Sequence, residues 1–179
     1  MIDTAHYASP LGNLLLAAQD GALVGLWLEG QKYFLGGLTG PMEERDSHPV
    51  LVRARDWLDR YFTGEKPEIG ELPLAPVGSG FRKAVWRVLC QIPYGATTTY
   101  GEISRKVAAQ LGKAHLSAQA VGGAVGHNPI SIIIPCHRVV GASGSLTGYA
   151  GGIEKKIWLL THEKADMRPL FVPKRSSAP

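Results

Sequence analysis

One tetrapeptide, Pro135–Arg138, places a cysteine and a histidine side by side after a run of three isoleucines. An imidazole and a guanidinium next to a thiol are surroundings that turn cysteine into a thiolate nucleophile. A carboxylate that fixes the imidazole would complete a Cys-His-acid triad, and Glu163, at the end of a later helix, could fold back to do so. The order Asn128, Cys136, His137 and Glu163 also admits a thiol hydrolase, so these residues alone leave the reaction open.

The composition is that of an ordinary globular protein, with 179 residues of which 45% are hydrophobic and 19% charged. The two cysteines, Cys90 and Cys136, do not have the spacing of a disulfide framework or a zinc site, which favours a reducing compartment. The chain shows no secretory leader pattern and no apolar stretch long enough to cross a bilayer. We therefore expect a cytoplasmic protein with no membrane partner and no metal, in which Cys90 is a packing residue.

Charge divides the chain into two unequal parts. Residues 1–79 carry 6 Lys and Arg against 11 Asp and Glu, whereas residues 80–179 carry 13 against 4. A Pro- and Gly-rich stretch over residues 63–80 falls at the same place and is typical of an interdomain connection. We therefore predict two units. The basic second unit favours a polyanionic partner, although a merely soluble basic surface fits the charge equally well.

The first unit has the pattern of a small antiparallel sheet followed by one helix. Asp20-Gly21 between two apolar runs is a hairpin signal within the strand-rich residues 4–28. Apolar residues at helical spacing predict an amphipathic helix over Pro49–Phe62.

The second unit has the pattern of several helices. An apolar stripe over residues 81–92 predicts the first, and hydroxyl caps at Thr99 and Ser117 predict two more, from Tyr100 and over Ala118–Val125. Two short helices joined by a Gly-containing turn in a basic unit resemble a helix-turn-helix.

The cysteine segment and the chain end complete the second unit. Ser131–Ile134 is expected to be strand-like, and Ile153–Lys164 is expected to be a final helix. Residues 165–179 are expected to form a C-terminal tail, which is loose over Pro169–Pro179 and ends in a short polar stretch.

Longer motifs around the cysteine resemble the O6-alkylguanine-DNA alkyltransferases, also called methylated-DNA–protein-cysteine methyltransferases. The resemblance covers roughly residues 80–164. The motifs that carry it are Ile92–Gly95, Thr99–Glu102, Asn128–Ser131, Pro135–Val140, Gly148–Gly152, Trp158–Leu160 and His162-Glu163.

The resemblance implies an α/β (α+β) fold with two domains. Residues 1–79 would form a small ribonuclease-H-like sheet domain with its linker, residues 80–164 a catalytic, DNA-binding winged helix-turn-helix domain, and residues 165–179 the tail. It implies a monomer that binds the minor groove of double-stranded DNA containing alkylated bases and flips the damaged nucleotide. The implied reaction is irreversible transfer of the alkyl group from O6-alkylguanine, and also from O4-alkylthymine, to Cys136, with no cofactor.

The same resemblance assigns roles to single residues. Cys136 would keep the alkyl group, His137 would act as base through a water, Glu163 would orient His137, and Asn128 would brace the site. The substrate contacts would come from the Tyr100 hydroxyl to guanine N3, the carbonyls of Cys136 and Val139 to the exocyclic amine, and Tyr149 and the Ala150 amide to O6. The residues expected to contact DNA are Thr99, Ser117, Ala118, Gln119, Ala120, Gly122, Gly123 and Arg138.

Gln119 departs from the family pattern, in which an arginine fills the space left by the flipped base. Glutamine can plug that space but brings no charge and no planar guanidinium, so we predict weaker flipping with intact chemistry. A non-enzymatic lesion-recognition protein of the alkyltransferase-like type is the alternative function, and proteins of that type lack the acceptor cysteine that Cys136 supplies here.

Overall fold

The computed structural model describes residues 1–174, and its N-terminal part is built on a four-stranded sheet. The strands are β1 (Ile2–Ser9), β2 (Gly12–Gln19), β3 (Ala22–Leu28) and β4 (Met42–Glu44). Their spatial order is β3-β2-β1-β4, with β4 parallel to β1 and the other pairs antiparallel. The hairpin predicted at Asp20-Gly21 is present. Both of its residues have positive φ, 52° and 78°, as a tight turn between twisted strands requires.

Helix α1 spans Pro49–Phe62, the range that the apolar spacing predicts, and packs on the sheet. Proline suits the first helical position because the amide it lacks would have no partner there. The buried face of α1 includes Leu51, Leu58 and Tyr61. Tyr61, in the last turn, points this face toward the C-terminal part of the molecule.

The C-terminal part consists of four helices and one short pair of strands. The helices are α2 (Gly80–Leu89), α3 (Tyr100–Gln110), α4 (Ala118–Gly126) and α5 (Ile153–His162). The strands β5 (Thr98–Thr99) and β6 (Val139–Val140) pair in parallel. The predicted caps are confirmed, because the Thr99 and Ser117 hydroxyls each accept from the backbone amide three residues later, that of Glu102 at 3.2 Å and that of Ala120 at 3.3 Å.

The sheet domain holds the segment that leads to the cysteine. The Leu26 amide on edge strand β3 donates to the Pro129 carbonyl, and the Ser131 amide donates back to the Leu26 carbonyl, both at 2.9 Å. Hydrophobic residues from both parts, among them Leu26 and Ile134, belong to one buried cluster. The position of the reactive segment therefore depends on the N-terminal domain as well as on its own.

Two local predictions are wrong. Ser131–Ile134 is not a strand but a tight turn, in which Ile132 has a φ of +71°. A β-branched residue in that region is strained, and Ile132 tolerates it because its side chain is buried in the core. The segment expected to be loose, Pro169–Pro179, is instead docked near its start, since the Leu146 amide donates to the Phe171 carbonyl at 2.9 Å. The predicted tail residues 175–179 lie outside the described part of the chain.

No helix among residues 1–174 is both long enough and apolar enough to cross a membrane.

Candidate active site

Cys136 opens a 3-10 turn (Cys136–Arg138) that leads directly into β6. Its side chain is buried, and burial raises the pKa of the thiol, while a hydrogen bond from Asn128 and the charge of Lys156 oppose the rise. Because a buried site disfavours the charged form, Cys136 rests as the thiol. Nucleophilic chemistry at this sulfur therefore needs a neighbouring group that removes its proton.

A buried carboxylate, Glu163, lies just after α5 and collects several donors. His137 Nε2 lies 2.8 Å from Oε2, and the Tyr61 hydroxyl donates to the same oxygen at 2.6 Å. Arg138 donates through Nε to Oε1 at 2.7 Å and through Nη2 to Oε2 at 3.1 Å. Burial alone would raise the pKa of this carboxyl, but the bonds from His137 and Arg138 hold it well below its usual range.

The tautomer of His137 follows from this network. Since the Glu163 carboxylate is ionised, Nε2 must carry the proton that it donates, and Nδ1 is left with a free lone pair. Nδ1 is buried and has no hydrogen-bond partner among residues 1–174. Burial lowers the pKa of the imidazole more than Glu163 raises it, so the ring is neutral. A neutral imidazole with an open nitrogen, next in sequence to a thiol, is suited to act as a general base.

The structure does not support a DNA contact by Arg138. Its side chain is only 8% exposed, and Nη1 donates to the Ile92 carbonyl at 2.7 Å while the other nitrogens hold Glu163. The guanidinium also lies 5.7 Å from the centre of the Tyr94 ring. Because the planar fork is committed to internal partners, Arg138 neutralises and fixes Glu163 instead of reaching a phosphate.

Asn128 braces the turn that precedes the cysteine. Its Nδ2 donates to the Ile134 carbonyl at 2.8 Å, and its Oδ1 accepts from the Ile130 amide at 3.0 Å. These bonds close the strained turn at Ile132 from both ends. The bracing role expected of Asn128 thus has a geometric basis.

The residues expected to contact the substrate base surround the same site. The Tyr100 hydroxyl donates to the Thr147 carbonyl at 3.3 Å, and burial with the nearby Cys136 raises the pKa of Tyr100 to about 12. The Tyr149 hydroxyl is buried and has no partner among the described residues. An unpaired buried hydroxyl is costly, which fits a group that waits for a ligand.

A buried lysine that no motif in the sequence indicated lies beside these groups. Lys156 Nζ donates to the carbonyls of Val139 and Thr147 at 2.6 and 2.8 Å, and burial lowers its pKa to about 8. Lys156 and Glu163 lie on the face of α5 that buries Leu159, at positions i, i+3 and i+7. That spacing is the signal in the sequence that could have identified Lys156, because two charges within an apolar stripe must find internal partners.

The residues predicted to contact DNA around α4 lie on the surface, and Thr99, the N-cap of α3, is half-buried. Ser117, Ala118, Gln119 and Ala120 are exposed at the start of α4, and Gly122 and Gly123 follow on the same helix. A methyl group added at either glycine would meet no atom within 4 Å, so this face is smooth and open. Such a surface suits close approach to a groove more than hydrogen bonding to base edges.

Two protein-family models match the two parts of this chain. One family model, described as 6-O-methylguanine DNA methyltransferase, ribonuclease-like domain, matches residues 3–76, and another, described as the DNA binding domain of the same enzyme, matches residues 80–165. These matches confirm the predicted two-domain α/β architecture.

Curated relatives and solved structures agree with the family models. The chain is 43% identical over 164 residues to the methylated-DNA–protein-cysteine methyltransferase of Mycolicibacterium paratuberculosis, covering 92% of this chain and 93% of that protein. It is 39% identical over 159 residues to the Haemophilus influenzae enzyme of that name, covering 89% and 84%. The Mycobacterium tuberculosis OGT structure in complex with DNA aligns with a TM-score of 0.76 at 43% identity, covering 91% of this chain and 92% of that one.

Proposed function

The chain belongs to the 6-O-methylguanine DNA methyltransferase family and acts as a methylated-DNA–protein-cysteine methyltransferase that repairs DNA by direct reversal, and we propose that Cys136 is its acceptor. The observation that carries this assignment is the buried His137–Glu163 pair, which leaves an unprotonated nitrogen on the residue that directly follows Cys136 in the chain. Cys90 is a poor acceptor, since it lies at the end of α2 outside this network.

The proposed reaction is one displacement at the alkyl carbon. The proton of Cys136 passes through an intervening water to Nδ1 of His137, and the sulfur attacks the carbon attached to O6 of guanine. The new S–C bond forms as the C–O6 bond breaks, and the electron pair of that bond goes to O6. A proton returned to the base leaves neutral guanine in the DNA and an S-alkylcysteine in the protein. Because a thioether is stable, each molecule acts once.

The leaving group is stabilised by donors that meet the base. The buried Tyr149 hydroxyl gains a partner when O6 arrives and donates to it as charge develops there, and the Ala150 amide adds a second donor. The Tyr100 hydroxyl exchanges its bond to Thr147 for guanine N3. The carbonyls of Cys136 and Val139 accept from the exocyclic amine. The Val139 carbonyl also serves Lys156, and its second lone pair is free for this contact.

Delivery of the base is assigned to α4. Gln119 fills the space left by the flipped nucleotide, while Ser117, Ala118 and Ala120 follow the groove with Gly122 and Gly123, and Thr99 contacts the backbone from the start of α3. We place the domains at residues 1–79, 80–164 and 165–179. The protein would act as a cytoplasmic monomer on double-stranded DNA, with O4-alkylthymine as a further substrate.

Intact-mass analysis after incubation with a duplex that carries one O6-methylguanine tests the assignment. We expect one added methylene per protein, its loss in Cys136→Ser, and its retention in Cys90→Ser. Binding without any gain of mass would instead favour the non-enzymatic lesion-recognition function, which the presence of Cys136 in this network makes the weaker candidate.

A further inference from the structure

A small cavity of about 210 Å³ lies where the two domains meet beside the site. One wall is the exposed face of α4, a second is the loop Gly148–Ala150, and the third comes from the sheet domain through Lys32 and Tyr33. Tyr149 and Ala150 are the residues assigned above to O6, so the cavity adjoins the place where the O6 substituent would lie, and Cys136 itself is not among its lining residues. The inference below rests on that proposed function.

The segment after β3 is held firmly against the catalytic domain. The Lys32 amide donates to the Ala150 carbonyl at 3.2 Å. The side-chain oxygen of Gln31 accepts from the Leu28 amide at 2.7 Å and from the Ser131 hydroxyl at 3.2 Å. The sheet domain is thereby hydrogen-bonded both to the loop Gly148–Ala150 and to the turn before Cys136.

Tyr33 is fixed at the edge of this cavity. Its ring stacks on that of His127, with 3.7 Å between the ring centres and 24° between the planes. His127 is itself fixed as the C-cap of α4, with Nδ1 2.6 Å from the Gly123 carbonyl. Tyr33 has a φ of +58°, a strained conformation for a bulky residue, and such strain concentrates at ligand clamps.

The other walls of the cavity carry few side chains that could move to change its size. The α4 wall presents glycines, and Gly148 lies under Tyr100, whose hydroxyl would be 2.8 Å from a methyl group added there. At about 210 Å³ the cavity is smaller than typical small-molecule sites of about 300–1,000 Å³. Tyr33 is the aromatic side chain of the third wall, which belongs to neither α4 nor the loop Gly148–Ala150, and it is 52% exposed.

We propose that Tyr33 is a specificity-determining residue: its ring, stacked on His127, forms the outer wall of the base pocket and limits the size of the O6 substituent that can be presented to Cys136. The sheet domain therefore selects the substrate as well as supporting the catalytic segment. Replacing Tyr33 by alanine removes that wall without touching the His137–Glu163 network.

The test compares single-turnover transfer to the full-length protein from two duplexes of one sequence, which carry O6-methylguanine or O6-benzylguanine. One methylene more or less changes selection by an apolar pocket by about 10–200-fold, and a benzyl group exceeds a methyl group by a whole phenyl ring. We therefore expect Tyr33→Ala to raise the benzyl-to-methyl rate ratio about tenfold. Tyr33→Phe keeps the stack and should keep the wild-type ratio. Phe34→Ala removes the neighbouring ring, which packs on Trp27 and does not line the cavity, and should also keep it.

An unchanged ratio in Tyr33→Ala overturns the inference, and so does an equal shift in Phe34→Ala. A variant that is merely loosened would slow both substrates together and leave the ratio unchanged. If the wild-type protein transfers neither group to Cys136, the proposed function itself fails. If it transfers methyl normally while the Tyr33→Ala ratio stays fixed, only the role of Tyr33 is wrong.

Discussion

Replacing Glu163 by glutamine removes one charge from the buried network and keeps the shape of the side chain. In the structure this carboxylate accepts from Tyr61, His137 and Arg138. Glutamine can accept through one oxygen, but its amide group must face at least one of these donors. The substitution therefore leaves the guanidinium of Arg138 without its counter-charge and removes the constraint that keeps the proton of His137 on Nε2.

Both consequences have a magnitude. Removing one partner of a buried ion pair costs about 3–5 kcal/mol, so the free energy of unfolding of Glu163→Gln should fall by that order. A general base contributes about 10²–10⁴-fold to a rate, and a histidine in the wrong tautomer loses that contribution. The rate of methyl transfer should therefore fall by about 10²–10⁴-fold, even in buffer where the variant is folded.

The assay is single-turnover transfer from a saturating O6-methylguanine duplex, with urea unfolding measured on the same samples. Glu154→Gln removes an exposed carboxylate from the first turn of α5 and should leave both quantities near wild type. Tyr61→Phe removes one donor without a charge change, so it should lower stability by only about 1.5–3 kcal/mol and largely spare the rate. A folded Glu163→Gln protein that transfers methyl at the wild-type rate would refute the tautomer argument.

Three further predictions follow from the same geometry. Gln119→Arg adds a charged, planar guanidinium and should tighten binding to a lesion-containing duplex, measured by fluorescence titration on a Cys136→Ser background. Weaker binding would contradict the prediction that glutamine fills the space of the flipped base less well than arginine. Because burial lowers the pKa of His137 from 6.5, the transfer rate should hold down to pH 6.5 and decline only below it, and a decline centred above pH 6.5 would contradict a neutral resting imidazole. Burial also lowers the pKa of Lys156 from 10.5 to about 8, so between those values the unfolded chain binds more protons, and stability rises with pH. The free energy of unfolding of wild type relative to Lys156→Met should therefore rise by about 2 kcal/mol from pH 7.5 to 9.5, and a flat or falling difference would contradict the depressed pKa.

Local signals predicted most of the fold. The Asp20-Gly21 turn, the apolar period of α1 and the hydroxyl caps at Thr99 and Ser117 each depend on neighbours in the chain, and the structure has all of them. Ser131–Ile134 was misread because an apolar run has no period of its own. Its turn is imposed by distant partners, Leu26 and the side chain of Asn128.

The site was predictable to the extent that its residues lie in motifs. The triad-like set of Cys136, His137 and Glu163 could be proposed from the sequence, and the structure brings His137 and Glu163 together across 26 residues. Tyr61 could not be identified, because its contact with Glu163 joins two domains and its helical spacing indicates only packing. The burial of Arg138 could not be identified for a similar reason, since a charged residue two positions after a cysteine gives no local sign of an internal carboxylate.

The most direct measurement is peptide-level mass spectrometry after incubation with an excess of a duplex that carries one O6-methylguanine. We expect one methyl group per protein, located on Cys136, one equivalent of repaired guanine, and no further turnover. A methyl group on Cys90, or continued release of guanine beyond one equivalent, would contradict it.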